Sequence, residues 1–133
     1  MKSILTVTLA AMISIGLLAA PAEATDWTAG TSLSLKASDT QVKQGTKVTF
    51  TIKLKSHRKP CYQKEPVKWF RNGVYKRTLH TNNKGVIKLT KKMNHTSTYR
   101  AKYLGKRVGQ HPNRHVCHAS QSRAVRIKVK RKH

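Results

Sequence analysis

Positive charge limits how this chain can fold. Lysine and arginine together number 28 against 4 acidic residues, which gives a formal net charge of +24. Like charges repel one another when a chain becomes compact, and high net charge with few large apolar residues is typical of disordered proteins. A stable fold therefore requires regular burial of the apolar residues, a covalent crosslink, or both.

Several short segments show the alternation of apolar and polar residues that a half-buried strand requires. It is present in residues 33–37, 48–54, 97–103 and 125–129, and residues 67–69 begin a further strand. A period of two indicates strands with one buried face. About seven such strands, separated by turns and without a helical pattern after the N-terminal segment, predict an all-β fold, an antiparallel two-sheet β-sandwich.

Turn residues separate these strands. Asn72 and Gly73 form a pair suited to a two-residue hairpin, because both residues accept positive φ. Residues 74–81 are the expected return strand. Residues 82–85, rich in Asn and Gly, then turn the chain into a strand over residues 86–89.

The N-terminus has the pattern of a cleaved signal peptide. Lys2 precedes an apolar stretch from Ile4 to Ala20, and Ala22-Glu23-Ala24 has the small residues that precede a cleavage site. The same stretch approaches the length of a membrane anchor, which is the alternative. Cleavage would remove one base and one acid, keep the charge at +24, leave no transmembrane segment and direct the protein to secretion, with retention at the cell wall as a further expectation.

The predicted organisation is a single domain. The divisions are a signal peptide over 1–24, a short flexible segment over 25–31, the domain over 32–130 and a basic tail over 131–133. Cys61 and Cys117 are the only cysteines. An exported chain meets an oxidising compartment, so a structural disulfide is expected.

The order of the segments resembles the bacterial immunoglobulin-like domains of secreted and cell-surface proteins. The segments that carry the resemblance are LSLK at 33–36, VKQGTKVTF at 42–50, VKWFRNG at 67–73, TNNKG at 81–85, TYRA at 98–101 and VRIKV at 125–129. The resemblance implies that Trp69 is a core aromatic residue of the third strand and that Tyr99 occupies the corner-tyrosine position, and the alternation adds Phe50 and Ile127 to the predicted core. It implies neither enzymatic activity nor a shared ligand.

The cysteines depart from the antibody pattern within this resemblance. Ala101 occupies the position, two residues after Tyr99, where antibody domains have a core cysteine. Cys61 and Cys117 instead fall in loops before the third and last strands, which the resemblance places at the same end of the sandwich. The expected disulfide therefore ties two loops together and does not cross the core.

The resemblance also places the third strand, the strand at 97–103 and the last strand in one sheet. Their outward residues would form a basic surface on which an aromatic ring is available for stacking. We expect it to bind anionic polymers by electrostatics, such as cell-wall teichoic acid, acidic polysaccharide or nucleic acid without base specificity. The residues are Lys68, Phe70, Arg100, Lys102, Arg126, Lys128 and Lys130.

Two other functions fit the same composition. A structural or protein-interaction module of the cell envelope would use the charge only for retention at the wall. An antimicrobial or membrane-surface protein would bind anionic lipid, although the chain has no amphipathic helical pattern. A solvated charged face without a ligand is the simplest alternative.

Catalysis and cofactor binding are not expected. After the signal peptide, the acids are Asp26, Asp39 and Glu65, which are too dispersed in the predicted fold for paired acid and base chemistry. No nucleophile elbow or glycine-rich phosphate loop is present. The candidates for a metal site are His111, His115 and His118, whose alternative interpretation is a polar loop beside an oxidised cysteine.

Overall fold

The computed structural model describes residues 25–131, and the predicted signal peptide and the last two residues lie outside this range. The described chain is all-β, apart from a short 3-10 helix at Lys59–Cys61. None of its helices is long and apolar enough to cross a membrane.

The strands are β1 Trp27–Ala29, β2 Ser32–Ala37, β3 Gln41–Lys43, β4 Thr46–Lys55, β5 Pro66–Arg71, β6 Val74–His80, β7 Val86–Met93, β8 Ser97–Tyr103, β9 Lys106–Val108, β10 His115–Cys117, β11 Ser120–Gln121 and β12 Val125–Lys130.

The chain divides into two compact units. The large unit contains residues 28–106 and 116–131, and the small unit contains residues 25–27 and 107–115. Two sheets of the large unit pack face to face. One has the strand order β2-β4-β7, and the other has the order β3-β12-β8-β5-β6, with β11 also paired to β8.

An aromatic cluster joins these two sheets. Phe50 of β4 lies 5.1 Å from Trp69 of β5 and 4.8 Å from Tyr99 of β8, measured between ring centroids. These three side chains and Ile127 of β12 are buried. The alternation in the sequence supplies this core, since the intervening residues of each strand point away from it.

The hairpin between β5 and β6 has the predicted two-residue turn. Arg71 pairs with Val74, so that Asn72 and Gly73 alone form the turn. Their φ values are +52° and +80°. Positive φ at both central residues matches the turn to the right-handed twist of the strands. Asn72 also fixes the turn against β8, because its side-chain oxygen accepts a hydrogen bond from the Thr98 N–H at 2.9 Å.

Some strands differ from the sequence-based prediction. β6 ends at His80, whereas β7 continues to Met93, beyond the predicted end at residue 89. The segment 25–31, predicted to be flexible, contains β1. β3 pairs with β12 in parallel, where only antiparallel pairs were predicted. Strands β1, β9, β10 and β11 have only two or three residues each, too few for periodicity to identify them.

The predicted disulfide joins Cys61 and Cys117, whose Cα atoms are 5.5 Å apart. Cys61 ends the 3-10 helix before β5. Cys117 ends β10, a short strand where a loop was predicted. Both cysteines are buried. The crosslink therefore connects two segments outside the main strands of the sandwich.

Candidate polyanion-binding surface

Strands β5, β8 and β12 are neighbours in one sheet, with β8 in the centre. Lys68 of β5 pairs with Lys102 of β8, and Phe70 pairs with Arg100. On the other side of β8, Arg126 of β12 pairs with Thr98. Paired residues in antiparallel strands project from the same side of the sheet. The sequence-predicted residues therefore form one surface, here called the basic face, which consists of Lys68, Phe70, Arg100, Lys102, Arg126, Lys128 and Lys130.

The burial pattern separates the basic face from the core. On β5, Val67 and Trp69 are buried, whereas Lys68 and Phe70 are half-buried. On β8, Arg100 and Lys102 are half-buried between fully buried neighbours. The cations of β12 are exposed. The centre of the face is thus partly shielded from water, and its β12 side is open to solvent.

Two aromatic rings lie among the cations of the face. Phe70 and Tyr75 meet edge to face, with ring centroids 5.9 Å apart. The Lys68 ammonium lies 4.7 Å from the centroid of the Tyr75 ring, and the Lys102 ammonium lies 4.8 Å from that of Phe70. These cation–π contacts hold both ammonium groups over the rings, and neither ammonium forms an ion pair within residues 25–131.

The sequence analysis did not include Tyr75 in this surface. The hairpin register places it there, because Phe70 pairs with Tyr75 across the turn. Counting back from the two-residue turn would have identified it, since the turn fixes which residues are opposite one another. Tyr75 is 48% exposed, so its ring is accessible to a ligand.

Arg100 lies at the centre of the basic face. Its Nε is buried and has no hydrogen-bond partner within residues 25–131. Buried donors in folded proteins normally have a partner, because an unpaired donor loses its hydrogen bonds to water.

Within the described large unit, no acid forms an ion pair with a cation of the basic face. Asp39 is in the turn before β3, and Asp26 is in the small unit. Glu65 is buried, and its carboxylate lies 3.1 Å from the Lys106 ammonium. Lys68 and Lys102 face each other across neighbouring strands, a like-charge arrangement that destabilises a sheet. A bound anion would relieve this repulsion.

The other sheet also presents exposed lysines on its outward side, so charge alone does not distinguish the basic face. What distinguishes it is the presence of two arginines, two aromatic rings and a buried unpaired donor. The exposed lysines of the other sheet are Lys36, Lys47, Lys53, Lys55, Lys88 and Lys92. They serve as a matched comparison below.

Glu65 is a structural carboxylate. One of its oxygens accepts a hydrogen bond from the Tyr103 hydroxyl at 2.7 Å, and the other accepts one from Lys106 at 3.1 Å. Burial raises the pKa of Tyr103 well above its ordinary value, and the hydrogen bond to Glu65 raises it further. Both carboxylate oxygens therefore accept hydrogen bonds within the protein.

Replacing this carboxylate is expected to destabilise the fold. Glu65→Ala leaves the buried Tyr103 hydroxyl without an acceptor and should lower the free energy of unfolding by about 2 kcal/mol. It should also lower the Tyr103 pKa, because part of the rise comes from Glu65. Urea unfolding and a spectrophotometric tyrosine titration measure the two effects. Asp39→Ala, at an exposed turn, is the control and should change stability by less than about 1 kcal/mol; equal effects would contradict the assigned role.

The histidine-rich loop contributes to the small unit. His111 Nδ1 lies 2.6 Å from one oxygen of Asp26, and the Arg114 backbone N–H donates to the other oxygen, also at 2.6 Å. The Arg114 hydrogen bond is the main reason that the Asp26 pKa lies below its ordinary value, with His111 adding to it. His115 stacks on Trp27 with ring centroids 4.6 Å apart.

The three histidines considered as metal ligands therefore have different partners. His111 faces a carboxylate and His115 faces an indole ring. His118 belongs to the large unit, where its backbone N–H donates to the Ala29 carbonyl. In residues 25–131, no group of three or more His, Cys, Asp or Glu side chains is arranged to hold a metal ion.

No protein-family model, curated protein or solved structure matches the chain.

Proposed function

We propose that this protein is a secreted, non-catalytic binding module that associates with anionic polymers through its basic face. The observation that carries the proposal is the assembly of six cations and an aromatic pair on four adjacent strands, without an acid among them. Teichoic acid, acidic polysaccharide and nucleic acid all present the repeated negative charges that such a surface attracts.

The proposed architecture is an immunoglobulin-like sandwich. The strand orders β2-β4-β7 and β3-β12-β8-β5-β6 support it, because two facing sheets with the hairpin β5–β6 next to β8 are arranged as in variable-type domains. Signal-peptide cleavage and secretion belong to the same proposal and rest on the sequence of residues 1–24. The buried disulfide supports export, since such crosslinks persist in oxidising compartments.

Binding would follow the physics of counterion release. Each polymer charge neutralised by a lysine or arginine frees a condensed counterion, so affinity falls steeply with salt concentration. For duplex DNA, the slope of log K against log salt is about −0.9 for each phosphate contacted. The slope therefore counts the cations engaged, and mutation can locate them.

The test compares two variants that lose the same charge. The basic-face variant carries Gln at Lys68, Arg100, Lys102, Arg126 and Lys128, and the control carries Gln at Lys36, Lys47, Lys53, Lys55 and Lys88. Affinity for duplex DNA, teichoic acid and an acidic polysaccharide is measured across a salt series. The basic-face variant should bind at least tenfold more weakly than the control, and its slope on DNA should be smaller by about 4.

Equal losses from the two sets would refute a localised surface and indicate that charge acts over the whole molecule. Binding by the unaltered protein that persists at high salt would refute the electrostatic mechanism. Thermal unfolding of both variants verifies that each remains folded before the affinities are compared.

A further inference from the structure

Three cations of the large unit lie on the core side of their strands at an open edge of the sandwich, where Arg71 and Arg77 stay exposed and Lys91 is half-buried. Arg71 pairs with Tyr99 and Arg77 pairs with Trp69, both of which are core residues. Lys91 pairs with Val48, also a core residue. Because paired residues share a side of the sheet, all three cations lie on the core side of their strands. The basic face uses the opposite side, so these cations are not part of it.

A β-bulge places Arg77 in this position. Trp69 pairs with Arg77, but the next residue, Phe70, pairs with Tyr75, so Lys76 is an extra residue in β6. Without the bulge, residues 75 and 77 would point the same way, since side chains alternate along a strand. The bulge lets Tyr75 join the basic face while Arg77 turns inward. Bulges commonly redirect side chains at functional sites.

The inward cations line a cleft at one open edge of the sandwich, between the edge strands β6 and β7. Its volume is about 310 Å³, and its walls are formed by Arg71, Lys76, Arg77 and Lys91. Trp69 and Tyr99 form its floor, stacked with their ring centroids 5.1 Å apart. A second cavity of about 340 Å³ shares Arg71 and Tyr99 with it.

The charge of the cleft has no counterion in the described part of the chain. The only ion pairs among residues 25–131 are Lys106 with Glu65 and His111 with Asp26. An inward-facing charge on an edge strand can serve to prevent edge-to-edge aggregation. One cation on each edge would suffice for that purpose, whereas here four cations from two sheets converge on one cavity above an apolar floor.

We propose that this cleft binds a sugar phosphomonoester. A phosphomonoester carries close to two negative charges at neutral pH, with a second pKa of about 6. Arginine presents a planar fork of donors that matches phosphate oxygens, and Arg71 and Arg77 place two such forks beside Lys91. The cleft is larger than a bare phosphate needs and leaves room for the sugar. The buried floor keeps water from one side, which strengthens the electrostatic attraction.

Titration calorimetry with the purified protein, its disulfide intact, tests the proposal at pH 7.5 and physiological salt. Ribose 5-phosphate should bind saturably with a stoichiometry of one, and ribose should not bind. The variant Arg71→Gln with Arg77→Gln should weaken binding at least tenfold. The control, Lys68→Gln with Lys102→Gln on the basic face, removes the same charge and should leave it within about twofold. Binding should also weaken as the pH falls through about 6, where the phosphate gains a proton.

Absence of saturable ribose 5-phosphate binding would overturn the proposal, as would equal losses from the two double variants. A 5′-phosphorylated oligonucleotide compared with its unphosphorylated form identifies the source of the ligand. If the protein binds the phosphorylated oligonucleotide more tightly, and this difference disappears in the variant with Arg71→Gln and Arg77→Gln, the cleft binds the phosphorylated ends of polymers. If ribose 5-phosphate binds but the two oligonucleotides bind equally, the cleft binds free sugar phosphates. Failure here leaves the basic-face test unaffected, because duplex DNA binding is measured with different variants.

Discussion

Removal of the Cys61–Cys117 disulfide is expected to lower the free energy of unfolding by about 4 kcal/mol. The two cysteines are 56 positions apart, so the crosslink restricts a large part of the unfolded chain. Its loss would restore that chain entropy and shift the folding equilibrium by about three orders of magnitude. Repulsion within a chain of charge +24 already opposes folding, so little stability remains to offset the loss.

Urea unfolding of the double variant Cys61→Ala with Cys117→Ala, compared with the oxidised protein, measures this contribution. Chemical reduction of the unaltered protein is the control, because it breaks the same bond without changing the side-chain carbon atoms. Both treatments should give similar midpoints. Because both cysteines are buried, reduction under native conditions should be slow and should accelerate once urea unfolds the chain. A decrease of less than about 1 kcal/mol would contradict the prediction.

Trp69→Ala is expected to cost about 4 kcal/mol of stability. The side chain is only 2% exposed and contacts Phe50 of the facing sheet and Tyr99 of the adjacent strand. Truncation would leave a cavity where the two sheets meet and remove both aromatic contacts. Because rigid strands flank the site, the surroundings have little freedom to fill the space.

Circular dichroism during urea unfolding measures this change without relying on tryptophan fluorescence. Trp69→Phe retains a ring and should cost less than half as much. Tyr75→Ala is the matched surface control, since its ring is 48% exposed, and it should cost less than about 1 kcal/mol. A cost for Trp69→Ala no larger than that of Tyr75→Ala would show that the aromatic cluster does not hold the sheets together.

The sequence by itself predicted the longer strands of the two main sheets, the hairpin turn and the disulfide. These features depend on local chemistry. Alternation determines which side of a strand is buried, Asn72 and Gly73 tolerate the positive φ that their turn needs, and two cysteines alone allow one pairing. The same alternation places four of the predicted residues in the core, since each lies on the apolar side of its strand: Phe50, Trp69, Tyr99 and Ile127.

The resemblance to immunoglobulin-like domains indicated the basic face, because it suggested which strands are neighbours. Only the tertiary structure decided its details. The contact between Phe70 and Tyr75 and the unpaired Nε of Arg100 depend on the register between β5, β6 and β8. A register is a relation between distant segments, which a local pattern does not specify.

The cleft between β6 and β7 is even less predictable from local sequence patterns than the basic face. In the sequence, Arg71, Arg77 and Lys91 look like ordinary surface cations. One additional residue in β6 reverses the direction of Arg77, and the packing of the facing sheet brings Lys91 beside it. Strand identity follows from the period of the sequence. Only the tertiary structure brings the three cations into one cleft, because their positions depend on a bulge and on how the two sheets align.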